Sequence, residues 1–168
     1  MMIRLACLAD LPLLPAIEAS AATLFAGTAM AHVVGGPTTP RDALEQGLAD
    51  QCLWVADTAG PCGFLLAAVE TGWLHILELS VARAAQGRGL GAALLNAAIL
   101  GAPALGRAQL SLTTDRWLAW NAPFYARHGF VERSADDPAL PDWLAAMPGR
   151  EAASGLDPAL RCIMVRST

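Results

Sequence analysis

The sequence predicts an α+β fold in three layers, a mixed and mostly antiparallel central sheet flanked by helices. Short runs rich in strand formers at 52–57, 62–70 and 73–81 are joined by Thr58-Ala59-Gly60-Pro61 and by Thr71-Gly72, the pattern of an antiparallel meander. A glycine-rich turn follows and opens into Ala92–Leu100, a helix of strong formers. The next apolar run, Ala108–Thr114, is then reached by a crossover, which makes it a parallel neighbour of the strand before the turn.

The remaining elements follow in order. Ile3–Cys7 reads as a first strand. Asp10 stands as the N-cap of a helix with Pro12 in its first turn, and Leu11, Leu14, Ile17 and Leu24 give it an apolar face; Pro15 inside the pattern allows a later start. Residues 27–39 are irregular, with a turn at Gly35-Gly36-Pro37. Thr39 is expected to cap a second helix, with Pro40 first and Asp42 early, running to about Ala49. Asn121 occupies an N-cap position with Pro123 in the first turn, His128 near the negative end and Gly129 at the stop. Phe130–Glu132 opens another strand. Residues 134–158 hold short helices around 141–147 and 148–154, and Leu160–Arg166 is a terminal strand expected beside the one at 130.

Composition narrows the function classes. The 168 residues are read as one domain, 1–168, large enough for a proper core. With 55% hydrophobic and 15% charged residues the chain is not disordered, and a homodimer through an apolar face is left open. No apolar stretch is long enough for a bilayer and Met1-Met2-Ile3-Arg4-Leu5 lacks a signal-peptide layout, so a cytoplasmic protein without a membrane partner is expected. A net charge of −4 with no basic stripe argues against nucleic acid. Cys7, Cys52, Cys62 and Cys162 are scattered without metal spacing, which fits reduced, small hydrophobic residues and no metal site.

The glycine turn carries the chemistry. In Gln86-Gly87-Arg88-Gly89-Leu90-Gly91-Ala92, three alternating glycines remove the side chains that would keep a ligand from the backbone. The first N–H groups of the following helix lack internal partners and sit at the positive end of its dipole, so a phosphate or diphosphate suits them, with Arg88 as an added cation. A tight turn without ligand is the plainer alternative. A dinucleotide fingerprint fits poorly, since Arg83 to Gln86 separate the strand from the first glycine.

Gln86-Gly87-Arg88-Gly89-Leu90-Gly91 matches the pattern [Gln/Arg]-x-x-Gly-x-[Gly/Ala], and Asn121-Ala122-Pro123-Phe124-Tyr125-Ala126-Arg127-His128-Gly129-Phe130 follows downstream. On these residues the chain resembles the GCN5-related N-acetyltransferase (GNAT) family, from its N-terminal helix to at least Val131. The resemblance implies the acyl-CoA N-acyltransferase fold, acetyl-CoA as cosubstrate, and an amine acceptor that is a small molecule or a peptide. It places pantetheine on the backbone of Leu79, Ser80 and Val81, and the diphosphate on Gln86, Gly87, Arg88, Gly89, Leu90, Gly91 and Ala92. It also makes Tyr125, the chain's one tyrosine, the acid that protonates the leaving thiolate, with helix packing beside Phe124 as the alternative. Asn121 lies four residues before Tyr125 rather than two turns, so it serves as a cofactor contact, a plain N-cap, or both.

Glu78 is a carboxylate inside an apolar strand, where burial is costly unless the group is paired or hydrated; this favours a place in the acceptor cleft as base over a surface ion pair. His75 is the second choice, and simple alternation sets it on the face opposite Glu78 unless a bulge intervenes. Asp115 and Arg116 border the acceptor site or form a solvated loop. Trp54 is assigned to the core, Trp117 and Trp120 to the flanks of the cleft, and Trp143 to a late segment that could cover it. A non-catalytic acyl-CoA-binding or regulatory module of the same fold needs the glycine turn but neither Glu78 nor Tyr125.

Overall fold

The computed structural model describes residues 2–168. Its centre is a sheet of seven strands: β1 (Met2–Leu5), β2 (Leu53–Asp57), β3 (Pro61–Glu70), β4 (Trp73–Val81), β5 (Gln109–Asp115), β6 (Val131–Arg133) and β7 (Arg161–Ser167), in the order β1-β2-β3-β4-β5-β7-β6. The meander and the crossover stand as the sequence predicts: β2, β3 and β4 pair antiparallel, and β4 and β5 pair parallel. The terminal strand lies beside β6 and also runs along the whole of β5.

Alternation along the strands builds two cores. On one face Trp54, Leu65, Leu74 and Ile76 meet α3 (Leu90–Gly101) through Leu90, Leu94, Leu95 and Ala98. On the other, Leu53, Val55, Phe64 and Leu66 meet Leu14 and Ile17 of α1 (Leu14–Ala22) and Leu44 of α2 (Arg41–Ala49). The 134–158 region supplies α5 (Asp142–Ala145) and α6 (Met147–Glu151), and Leu140 and Leu144 cover Ile163 and Val165. Before them in sequence, α4 (Ala122–Ala126) packs Ala122 and Tyr125 onto the α3 side. Among the described residues, no helix is long and apolar enough to cross a membrane.

Two caps differ from expectation. Asp10 does not cap a helix with its side chain: Leu11–Leu13 forms a 3-10 turn, and α1 starts at Leu14 with Pro15 in its first turn. Its carboxylate instead accepts from the Cys7 N–H at 2.8 Å and from Arg4 at 2.7 and 2.9 Å, an arrangement made possible because β1 ends just before it. Thr39 likewise gives up the cap. Pro40 takes that position, α2 begins at Arg41, and the Thr39 N–H donates to both oxygens of Glu18 at 3.0 and 2.9 Å.

Arg4, shared by Asp10 and Asp57, ties β1 to β2 and to the turn before α1. Hydrogen bonding from Arg4 holds the Asp10 carboxyl down at about 2. A carboxyl whose folded value lies below its unfolded one stabilises the fold above the unfolded value and loses that contribution as pH falls through the folded one. Asp10→Asn is therefore expected to destabilise by about 2 kcal/mol at pH 7, with the difference from the parent vanishing as pH falls towards 2. Urea midpoints at several pH values check it.

Candidate active site

The site begins where two parallel strands part. The β4–β5 ladder runs from Trp73↔Gln109 to Ile76↔Leu112 and stops, although β4 continues to Val81 and β5 to Asp115. The outer neighbours hold both strands beyond that point: β3 follows β4 to Val81, and β7 follows β5 to Asp115. A gap opens between them. The Ala82 N–H donates across to Cys62 O at 2.9 Å, so alternation turns the backbone of Val81 and Leu79 towards the gap.

A bulge in β4 decides which side chains face the cavity. Leu66 pairs with Glu78 but Ala67 pairs with Ile76, leaving Leu77 as the extra residue. Ile76 before it and Leu79 after it both belong to the α3-side core, and Leu77 is exposed. The shift puts His75 and Glu78 on one face, the outcome that plain alternation forbids.

The turn after β4 is fastened by its own side chains. Gln86 Nε2 donates to Val81 O at 3.0 Å, and Arg83 Nη1 donates to Gln86 Oε1 at 2.7 Å. Gly87 and Gly89 take left-handed φ values of 75° and 78°, and a Cβ on either would meet no protein atom within 4 Å. Ala93 N–H bonds back to Gly89 O at 3.0 Å, so the N–H groups of Leu90, Gly91 and Ala92 precede the first intrahelical bond. This cradle fits a diphosphate: open space, free donors and the positive end of a 12-residue helix. Arg88 is exposed, bonds to Ala84 O at 3.2 Å and does not line the cavity.

Gap and cradle lead into one cavity of about 700 Å³. Its lining includes Leu79, Ser80, Val81, Gln86, Gly87, Gly89, Leu90, Gly91, Ala92, Asn121, Glu78 and Tyr125. Glu78 accepts from Ser80 Oγ at 2.7 Å. Burial pushes its carboxyl up to about 7, the charge of Glu18 adds to the rise, and the Ser80 hydroxyl opposes it. Tyr125 packs edge-on against Phe124 at 5.1 Å and Phe130 at 5.8 Å. Burial, followed by the charge of Glu78, holds its phenol above the usual range, with Arg161 offsetting part. The Asn121 side chain makes no cap bond; its backbone carbonyl receives the N–H groups of Phe124 and Tyr125, so Asn121 starts α4 through its backbone, and the residue lines the cavity.

Other candidates fall outside. His75 is buried against Ser111 Oγ at 2.9 Å and the Trp143 ring at 5.3 Å, and burial drives it down to about 4. Asp115 accepts from the N–H groups of Trp117 and Leu118, and Arg116 pairs with Glu132 at 2.9 Å; both are structural. Trp117 is exposed and off the cavity, Trp120 lines it, Trp54 sits in the core, and Trp143 covers His75. Cys52 and Cys162 are buried, with thiols pushed up to about 11 mainly by that burial, poor conditions for a nucleophile.

Sequence reasoning missed Glu18, Thr113, Glu151 and Arg161, all on the cavity wall. Glu18 had a signal: it lies four residues after Leu14 and three before Ala21, on the buried stripe of α1. Glu151 and Arg161 had none, because only the pairing of β7 with β5 brings them to Thr113.

A seven-stranded sheet with parted parallel strands and a glycine cradle at the head of the crossover helix defines an acyltransferase-type fold. The family model for the acetyltransferase (GNAT) domain matches residues 49–132, half of the chain, and the protein belongs to that family. Solved structures share the fold. N-acetylglutamate synthase from Neisseria gonorrhoeae, complexed with coenzyme A and N-acetyl-glutamate, superposes with a TM-score of 0.71 at 21% identity over 99% of this chain, which spans 34% of that longer protein. PaiA N-acetyltransferase from Thermoplasma acidophilum, in complex with coenzyme A, gives 0.68 at 16% identity, covering 99% of this chain and 98% of that one. The ribosomal-protein-S18-alanine N-acetyltransferase from Escherichia coli gives 0.66 at 19% identity, covering 99% and 92%.

Proposed function

We propose that this protein transfers the acetyl group of acetyl-CoA to a primary amine, of a small molecule or of a protein, by direct attack. The observation that carries it is the meeting of Glu78 and Tyr125 on the wall of the cavity that also holds the glycine cradle. The cradle at Gly87–Ala92 grips the diphosphate, and the gap-facing backbone of Leu79 and Val81 holds the pantetheine arm. A strand N–H there polarises the thioester carbonyl as it gains negative charge. Glu78, near half-ionised at neutral pH, accepts the proton that the attacking nitrogen sheds as the N–C bond forms. Tyr125 stays protonated through neutral pH and donates to the sulfur as the C–S bond breaks. The partial burial that makes the phenol a weaker acid also makes the departing thiolate a stronger base, so their match is preserved.

The bound coenzyme A of the two neighbours above and their common fold support the cosubstrate. Release of free thiol from acetyl-CoA on addition of amines tests the reaction. A module that only binds acyl-CoA would show heat of binding and no thiol with any amine. Tyr125→Phe is expected to lower kcat about 10- to 100-fold with acetyl-CoA affinity unchanged, read by steady-state kinetics beside calorimetry. Unchanged turnover would leave Tyr125 as packing.

A further inference from the structure

The charged side chains on the cavity wall are Glu18, Glu78, Glu151 and Arg161. Arg161 is already committed: its Nε and Nη2 meet Glu151 Oε2 and Oε1 at 2.8 and 3.0 Å, and Thr113 Oγ1 also donates to Glu151. The Arg161 side chain is 9% exposed and its charge is offset by Glu151, so it adds no net positive charge to the wall. Glu18 and Glu78 have no such partner. Glu18 receives the neutral N–H of Thr39, and Glu78 receives the neutral hydroxyl of Ser80. The surrounding wall is apolar, formed by Leu24, Phe25, Met30, Val33, Trp120 and Leu156.

Resting on the acetyltransferase reading, we infer that the acceptor is a cationic amine on an apolar body with no carboxylate beside its amino group, and that Glu18 of α1 selects it. Two carboxylates lining one cavity repel each other and attract a cation, while an acceptor carboxylate would join them as a third anion. Glu18 is a specificity and positioning residue: it holds the Thr39 N–H beside the cavity-lining Thr38 and shares the cavity wall with Glu78. The other titratable groups lining the cavity with Glu78 and Glu18 are Tyr125 from α4, Glu151 from α6 and Arg161 from β7, and Ser80 on the same strand donates to Glu78. Removing the Glu18 charge leaves that set otherwise intact and lets the Glu78 carboxyl ionise at lower pH.

The test uses 2-phenylethylamine, L-phenylalanine and L-phenylalaninamide, which share an apolar body and differ at the carboxylate. Calorimetry on the protein saturated with CoA reads binding whether or not acetyl transfer occurs, so this inference and the transferase reading can fail separately. 2-Phenylethylamine and the amide are expected to bind at least about 100-fold more tightly than phenylalanine. Glu18→Gln is expected to weaken 2-phenylethylamine about tenfold, to leave CoA binding unchanged, and to move the rising limb of the pH–rate profile to lower pH. Equal binding of phenylalanine, binding of none of the three, or a Glu18→Gln protein with unaltered amine affinity and pH profile would overturn the inference.

Discussion

Gly89→Val is expected to abolish acetyl-CoA binding, a loss of at least about 100-fold or about 2.7 kcal/mol, in a protein that still folds. Gly89 sits at a left-handed φ of 78° immediately before α3, and its Cβ would meet no protein atom within 4 Å. A valine there therefore clashes with nothing in the chain. Its costs are about 1–2 kcal/mol of backbone strain and a branched side chain where the diphosphate must approach the N–H groups. Gly91→Ala serves as the control. Its Cβ would lie 3.9 Å from the Phe124 ring, an ordinary contact at an ordinary helical φ, and alanine is the better helix former. That variant is expected to be as stable as the parent or more so and to bind CoA about as tightly, because the motif admits alanine at this position and the added methyl makes only an ordinary contact with Phe124. Melting temperatures with and without CoA read both variants. Undiminished CoA stabilisation of the Gly89→Val protein would place the diphosphate elsewhere than the head of α3.

Local signals made this part of the site legible. Alternating glycines after an apolar strand specify their turn through backbone conformation, and the helix behind them follows from the run of alanine and leucine. The meander was equally readable, because each of its turns is short and sits between runs of strand formers. The caps at Asp10 and Thr39 were misplaced for different reasons: Arg4 and the Cys7 N–H took the Asp10 carboxylate, and α2 begins at Arg41, which puts Pro40 in the cap position. The cavity wall around Glu151 and Arg161 was the least legible. The sequence set the terminal strand beside β6 but not beside β5, and that second pairing brings Arg161, and Glu151 with it, to Thr113. The bulge at Leu77 is an intermediate case. An apolar residue left exposed in the middle of a strand follows from the pairing register, and that register is set jointly by β3 and β4.

Glu78→Gln is expected to lower kcat about 100- to 1000-fold and at the same time to make the protein more stable. The glutamine keeps a carbonyl oxygen for the Ser80 hydroxyl, now at 2.7 Å from the carboxylate, and keeps the volume; it loses the ability to take a proton. Acetyl-CoA affinity should hold, because the cradle and the gap-facing strand would bind it through backbone groups that the substitution leaves in place. In the parent, turnover should rise with pH through about 7 as Glu78 ionises, and this limb should be missing in the variant. The stability effect has a definite sign. A carboxyl raised to about 7 from an ordinary 4.5 gives up its proton less readily in the folded state than in the unfolded one. The parent therefore loses stability as pH rises from about 4.5 through about 7, by an amount on the order of 2–3 kcal/mol. Glutamine has no charge to bury, so the two proteins should melt alike near pH 4.5, and the variant should melt several degrees higher at pH 8. A half-buried base stays poised near neutral pH because its charged form is disfavoured there, and that same penalty is stored as instability of the fold. An inactive variant with no gain in stability at pH 8 would mean that Glu78 is solvated rather than buried. A fully active one would remove it from the reaction.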